Sequence, residues 1–212
     1  MNKSFTIGYV TTAISPYFAE EYKVRERSEE NLKKILKDYD VELLSYNKTV
    51  FTKEDSEDAA NFFKDKIDFL LLQTSSCSAG DQLYPLCNIT KKMGLWAVPD
   101  IEKEGDVKLH SLVSVSHYLG IIKKTLSDKK IKTKWFYNYA DTDEFKNKFL
   151  ITVKSLIAQK KLKQSRIGLV GGISPGFDNM LVDNEIIKQN IGTSIDEATI
   201  LELVDKAKNF KQ

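Results

Sequence analysis

Short runs of β-branched and aromatic residues alternate along the chain with longer stretches in which apolar residues return every three or four positions. The runs are FTIGYV (5–10), VELLS (41–45), IDFLLLQ (67–73), GLWAV (94–98) and TKWFYNY (133–139). Brief, nearly continuous apolar runs suit strands covered on both faces. The helical patterns fall near 18–38, 55–66, 80–93, 109–126 and 142–161. Strand-helix alternation of this kind marks βαβ units around a parallel sheet. The pattern therefore predicts an α/β fold: a doubly wound, Rossmann-like parallel sheet of about five strands in flavodoxin-type order.

After residue 163 the pattern starts again. QSRIGLVGG reads as a strand, LVDNEIIKQN as a helix with Gly192 placed to cap it, TSIDEAT as a second strand and ILELVDKAKNF as a last helix. Two strands can hardly cover both faces of their own sheet. Residues 1–163 are thus expected to form an N-terminal α/β domain, and 164–212 an incomplete second one. The basic stretch AQKKLKQ is the expected boundary. A longer chain or a partner would supply the remainder. The apolar positions Ile167, Leu169, Ile186, Ile187, Ile195 and Leu201 are expected to be buried against the first domain or a second copy.

Within this second unit, RIGLVGGISPGF resembles the opening of a phosphate loop but fails both tests. From Gly171 it reads Gly, Gly, Ile, Ser, Pro, Gly, with Ile173 where a dinucleotide fingerprint has its second glycine, and no Gly-Lys-Ser/Thr follows. It reads as a tight strand-to-loop turn. Asp178 and Asp183 beyond it read as caps.

Composition narrows the class of partner. With 212 residues, 42% of them hydrophobic, the chain can bury a substantial core. Thirty-two Lys plus Arg against thirty Asp plus Glu leave a formal charge of +2. So balanced a chain has no long-range field to draw nucleic acid or an anionic membrane. MNKSFTIGYV lacks the apolar core of a signal peptide, and no apolar run is long enough to span a bilayer. Cys77 and Cys87 lack zinc-site spacing and read as reduced, structural thiols of a cytoplasmic protein.

Candidate chemistry concentrates where doubly wound sheets bind ligands, beyond the carboxyl ends of the strands. The loop after the third strand, QTSSCSAGD, offers Gln73, Thr74, Ser75, Ser76 and Ser78 to a hydroxylated or anionic ligand; the same groups can cap a helix and satisfy a turn. Arg25 and Arg27 lie near the end of the first strand, within a helix laced by the i,i+4 pairs Glu21–Arg25, Glu29–Lys33 and Glu30–Lys34. His110 and His117 share a helical face without carboxylate or cysteine at ligand spacing. Neither a nucleophile elbow nor a His-Glu-x-x-His motif occurs.

Three stretches, VRERSEEN, TSSCSAGD and above all IGLVGGISPGFDNMLVDNEIIKQNIGTSIDEAT, resemble the N-terminal region of the L-fucose and L-arabinose isomerase family. That resemblance implies a larger enzyme that interconverts aldoses and ketoses through an enediol with a divalent metal, usually manganese. The metal ligands and the acid/base residues of the family lie further along than this chain reaches. The resemblance therefore implies no catalytic residue and no metal ligand here. It implies instead a homo-oligomer in which the first domain closes a sugar pocket beside a neighbouring subunit, with Arg25, Ser75, Ser76, Cys77 and Ser78 lining one wall. Two other readings of the same residues stand beside it: a stand-alone sugar-binding module, and a flavodoxin-like or receiver-like module, whose phosphate-binding run and acidic pair are missing here.

Overall fold

The structure is a computed structural model that describes residues 4–102 and 104–210. The described chain divides into two compact units, Met1–Leu150 and Ile151–Gln212. The division falls inside a helix, upstream of the basic stretch at which the sequence pattern placed it.

In the first unit five parallel strands, β1 (Phe5–Thr12), β2 (Val41–Ser45), β3 (Phe69–Thr74), β4 (Lys92–Ala97) and β5 (Lys132–Tyr137), form a sheet of order β2-β1-β3-β4-β5. This is the doubly wound arrangement of flavodoxin type that the alternating pattern predicts. The connecting helices are α1 (Val24–Leu36), α2 (Lys53–Phe63), α3 (Leu83–Leu86) and α4 (Ser111–Lys124), and α5 (Asp143–Gln164) follows β5. β3, at the centre, is buried at all six positions, which explains the unbroken FLLLQT. Leu70, Leu72, Phe63, Met93, Leu95, Tyr118 and Val115 form the heart of a core whose large members are almost wholly withdrawn from water.

Two expected helices are shorter than their patterns. Residues 18–23 form turns, and α1 begins only at Val24, after Lys23 adopts φ 50°. The stretch expected as a helix over 80–93 is a 3-10 turn (Gly80–Gln82) followed by the four-residue α3, which contains Pro85. A proline inside a helix removes a backbone donor and crowds the preceding turn, and β4 claims the chain from Lys92.

The second unit holds β6 (Arg166–Val170), α6 (Asn184–Asn190), β7 (Ser194–Ala198) and α7 (Ile200–Lys208), with β6 and β7 paired in parallel. Asp183 caps α6 by accepting from the backbone N–H groups of Glu185 and Ile186, and Gly192 follows the helix at φ +88°. Gly171 and Gly172 turn the chain out of β6 at φ +82° and +67°, so the glycine run is the tight turn that its sequence suggests. In the single chain Ile167, Ile186 and Leu201 are 51%, 55% and 76% exposed. Two strands and two short helices do not bury both faces of their own layer.

Candidate functional site

Strand order reverses between β1 and β3, so the crevice of this sheet lies beyond Thr12 and Thr74. The side chains there are polar, yet Thr11, Thr12, Gln73, Thr74, Ser75, Ser76 and Ser78 are all 5% exposed or less. Buried hydroxyls need partners, and this edge supplies them from the protein itself. Thr12 Oγ1 donates to Ser78 Oγ at 2.9 Å, and the Ser78 N–H donates to Ser114 Oγ at 2.7 Å. Thr74 Oγ1 donates to the Ser111 carbonyl at 3.0 Å, while Ser111 Oγ donates to the Thr74 carbonyl and accepts the Val98 N–H at 3.0 Å. Ser76 Oγ donates to the Cys77 carbonyl at 3.2 Å. Serines and threonines thus stitch the ends of β1, β3 and β4 to the start of α4.

The structure brings Ser75, Ser76, Cys77 and Ser78 together at the head of β3, with Ser75, Ser76 and Ser78 buried and Cys77 partly exposed. Ser75 alone among them has a buried hydroxyl without a hydrogen-bond partner. Arg25 sits on α1, where Glu26 at 2.6 Å and Glu29 at 3.5 Å hold its guanidinium; the helix starts too late to include Glu21. Glu29 also holds Lys33 at 2.6 Å, one of the expected i,i+4 pairs. A buried relay joins α1 to the β3 end: Tyr9 Oη donates to Gln73 Oε1 and Gln73 Nε2 donates to Ser28 Oγ at 2.9 Å. Burial pushes the Tyr9 hydroxyl well above its ordinary pKa, so it stays a neutral donor. Arg27 is exposed and lies over the Tyr139 ring at 5.8 Å, beside a cleft of about 10 Å³ bordered by Asn31 and Asp141.

Gln82 is the residue that reading the sequence passed over. It is 0% exposed, and its Nε2 donates to the Ala13 carbonyl at 2.9 Å and the Phe51 carbonyl at 2.7 Å. Its Oε1 accepts the Ala79 N–H at 3.1 Å and the Tyr118 hydroxyl at 3.3 Å. One amide therefore ties the loops after β1, β2 and β3 to α4. A glutamine at the start of a short helix carries no local sign of that role.

The outer rim is made of larger groups. Asp100 accepts the backbone N–H groups of Lys108, Leu109 and His110 at 2.9, 3.0 and 3.1 Å, which pins the loop at 108–110 that leads into α4. Its partial burial works against the charge, but the backbone donors prevail and hold its pKa below the usual carboxylate value. The pinned loop meets the other two: the Phe18 N–H donates to the Lys108 carbonyl at 3.3 Å and the Cys77 N–H to the Leu109 carbonyl at 2.6 Å. His110, at φ 57°, approaches the Tyr17 hydroxyl through Nδ1 at 3.5 Å. His117 lies against the backbone of Gly80, where an added Cβ would stand 3.2 Å from its Cε1 and 2.8 Å from Ile121 Cδ1. The two histidines thus serve different contacts.

This edge can offer hydrogen bonds from Tyr17, His110 and Cys77 to a polyhydroxylated molecule laid across it. Among the described residues no three His, Cys, Asp or Glu side chains converge in a way that could hold a metal ion. No described helix is long and apolar enough to cross a membrane. The fold and the edge together define a doubly wound α/β protein with a filled switch point. A scan against protein-family models found no match, and neither did a search of curated proteins.

Proposed function

We propose that the chain is the non-catalytic N-terminal portion of a sugar isomerase-like protein, in which the first unit forms one wall of an aldose–ketose pocket and the second serves subunit assembly. The observation that supports this reading is the filling of the crevice by the chain's own hydroxyls and amide. A ligand at this edge meets a rim, and enclosure has to come from a neighbouring subunit or further polypeptide. The catalytic acid/base pair and a manganese ion would belong to that other wall.

Sugar hydroxyls already bond to water, so an open rim gains only about 1 kcal/mol for each exchanged hydrogen bond. Titration calorimetry with L-fucose and L-arabinose should therefore give dissociation constants no tighter than about 1 mM, or about 4 kcal/mol. With manganese present, neither sugar should be isomerised. A micromolar constant weakened by Tyr17→Phe or His110→Ala would establish a stand-alone sugar-binding module instead, and turnover by the purified chain would overturn the non-catalytic assignment.

A further inference from the structure

The formal charge of +2 hides a local excess. Between Lys123 and Lys134 stand six lysines and one acidic residue, Asp128. They run from the end of α4 through the turn that follows it into β5. Among the described residues the exposed Lys123, Lys124, Lys130, Lys132 and Lys134 form no ion pair. Lys123 and Lys124 complement the negative end of the α4 dipole, a role that does not extend to the lysines of β5.

β5 is the last strand of its sheet and pairs with β4 alone. The Lys132 N–H donates to the Lys91 carbonyl at 2.8 Å, so the alternating backbone turns Lys132, Lys134 and Phe136 toward β4 and directs the N–H and C=O groups of Thr133 and Trp135 outward. Side chains alternate across the layer as well. Phe136 packs on Phe145 and Phe149 of α5, with ring centroids 5.8 and 5.9 Å apart, which puts Lys132 and Lys134 on that face and Thr133 and Trp135 on the other. There Thr133 joins Leu119 and Ile122 of α4, with Leu126 and Ile131, in lining an open groove of about 510 Å³. Trp135 is 47% exposed, with Lys148 Nζ 4.1 Å from its ring centre.

We infer that this edge receives an extended segment of a partner protein in which acidic and apolar residues alternate. The main chain of that segment pairs with Thr133 and Trp135, its apolar side chains enter the groove, and its carboxylates meet Lys132 and Lys134 on the opposite face. Charge selects the occupant. A second copy of the chain would set lysine against lysine along the same edge, and like charges directly opposite each other are destabilising. The first unit also encloses its own core, with Leu95, Trp96 and Phe136 0% exposed, so its sheet needs no further strand for completion. The strands of the second unit, RIGLV and SIDEA, pair with each other and lack an acidic–apolar alternation. The inference is independent of the sugar-pocket reading.

The test is fluorescence anisotropy of a labelled peptide of about eight residues, a usual strand length, alternating Glu with Val and titrated with the full chain. The wild type should bind it with a dissociation constant on the order of 10 μM. Binding should weaken at least about tenfold between about 0.05 and 0.5 M salt, as the screening length contracts. Lys132→Glu with Lys134→Glu should abolish that binding and confer binding of the corresponding Lys–Val peptide. Thr133→Pro removes an outward donor while sparing the β4 ladder and should weaken binding by about tenfold. Lys34→Glu with Lys37→Glu, exposed on and just after α1, makes the same change of charge and should leave binding intact. Far-UV circular dichroism confirms the fold of each variant. No binding by the wild type up to about 1 mM would overturn the proposal. So would equal binding of a peptide with the same residues in two blocks, equal binding of an oligothymidylate of matching charge, or unchanged binding by the β5 double variant.

Discussion

Replacing Gln82 by Ala should destabilise the first unit more than any other single truncation at its carboxyl edge. The substitution removes no charge and little apolar surface, so the loss is one of hydrogen bonding. Three backbone groups lose their partner: the carbonyls of Ala13 and Phe51, reached at 2.9 and 2.7 Å, and the N–H of Ala79 at 3.1 Å. The Tyr118 hydroxyl, 3.3 Å from Oε1, keeps the Ala79 carbonyl at 3.1 Å as an alternative acceptor. A group that water reaches after truncation costs about 1 kcal/mol, and one left dry costs about 1–3 kcal/mol. The Ala13 carbonyl is bonded within the buried core, whereas the Phe51 and Ala79 contacts are only partly buried. The sum is about 3–5 kcal/mol, a large share of the roughly 5–15 kcal/mol that holds a domain folded.

Urea unfolding followed by tryptophan fluorescence measures it, since Trp96 is 0% exposed in the folded unit and Trp135 is 47% exposed. With a slope of about 2 kcal/mol per molar, the midpoint should fall by about 1.5–2.5 M. A second variant separates bonding from volume. Gln82→Glu keeps the shape but turns a carboxylate toward two carbonyls, and burial raises its folded pKa above the unfolded value of about 4.3. A raised pKa means stability that is present while the group is protonated and lost as pH rises through the folded value. Gln82→Glu should therefore be less impaired at pH 5 than at pH 8. A Gln82→Ala loss below about 1 kcal/mol at an unchanged slope would refute the reasoning, because solvent would then be satisfying these groups.

Asp100→Ala should cost about 2–3 kcal/mol, since three backbone donors lose an ionised acceptor, and the wild-type contribution should fade only as pH falls through a folded pKa below the ordinary 3.8; an acid titration of Asp100→Ala against wild type checks both, and equal stabilities at neutral pH would contradict the clamp. Burial pushes the Cys87 thiol up to about 12, so a thiol reagent at neutral pH should modify partly exposed Cys77 alone in the native chain and both cysteines in denaturant. Mass spectrometry of the labelled protein reads the outcome directly.

The architecture was legible because buried parallel strands write themselves as unbroken apolar runs. IDFLLLQ and GLWAV are such runs, and they fall on β3 and β4. Turn chemistry was legible for the same local reason: Asp183, Gly171 and Gly192 act on their immediate neighbours. What failed was the reading of 80–93 as one helix, since Pro85 and the demands of β4 override a period that the residues alone satisfy. Gln82 was invisible because its partners, Ala13 and Phe51, lie 69 and 31 positions away. Arg25 was visible as a charge, but its engagement with Glu26 as well as Glu29 depends on where α1 begins, a boundary set by the left-handed turn at Lys23.

The hydroxyl-rich loop after β3 shows why composition alone cannot separate a ligand site from a structural joint. Both need many short donors and acceptors near a strand end, and both place them where helix N–H groups are free. What separates them is whether the hydroxyls converge on an empty volume or on each other. Here Thr12, Ser78 and Ser114 form one chain of bonds and Thr74, Ser111 and Val98 a second. Each such bond rigidifies the platform on which Tyr17, His110 and Cys77 stand. A rim held that firmly loses little conformational freedom when a second surface closes on it, which lowers the ordering cost of association. In the function proposed above, the buried hydroxyls would serve a ligand indirectly, by fixing the position of the groups that would touch it. Removing Ser78 would be expected to alter rim geometry and stability together, whereas removing His110 would alter the rim alone.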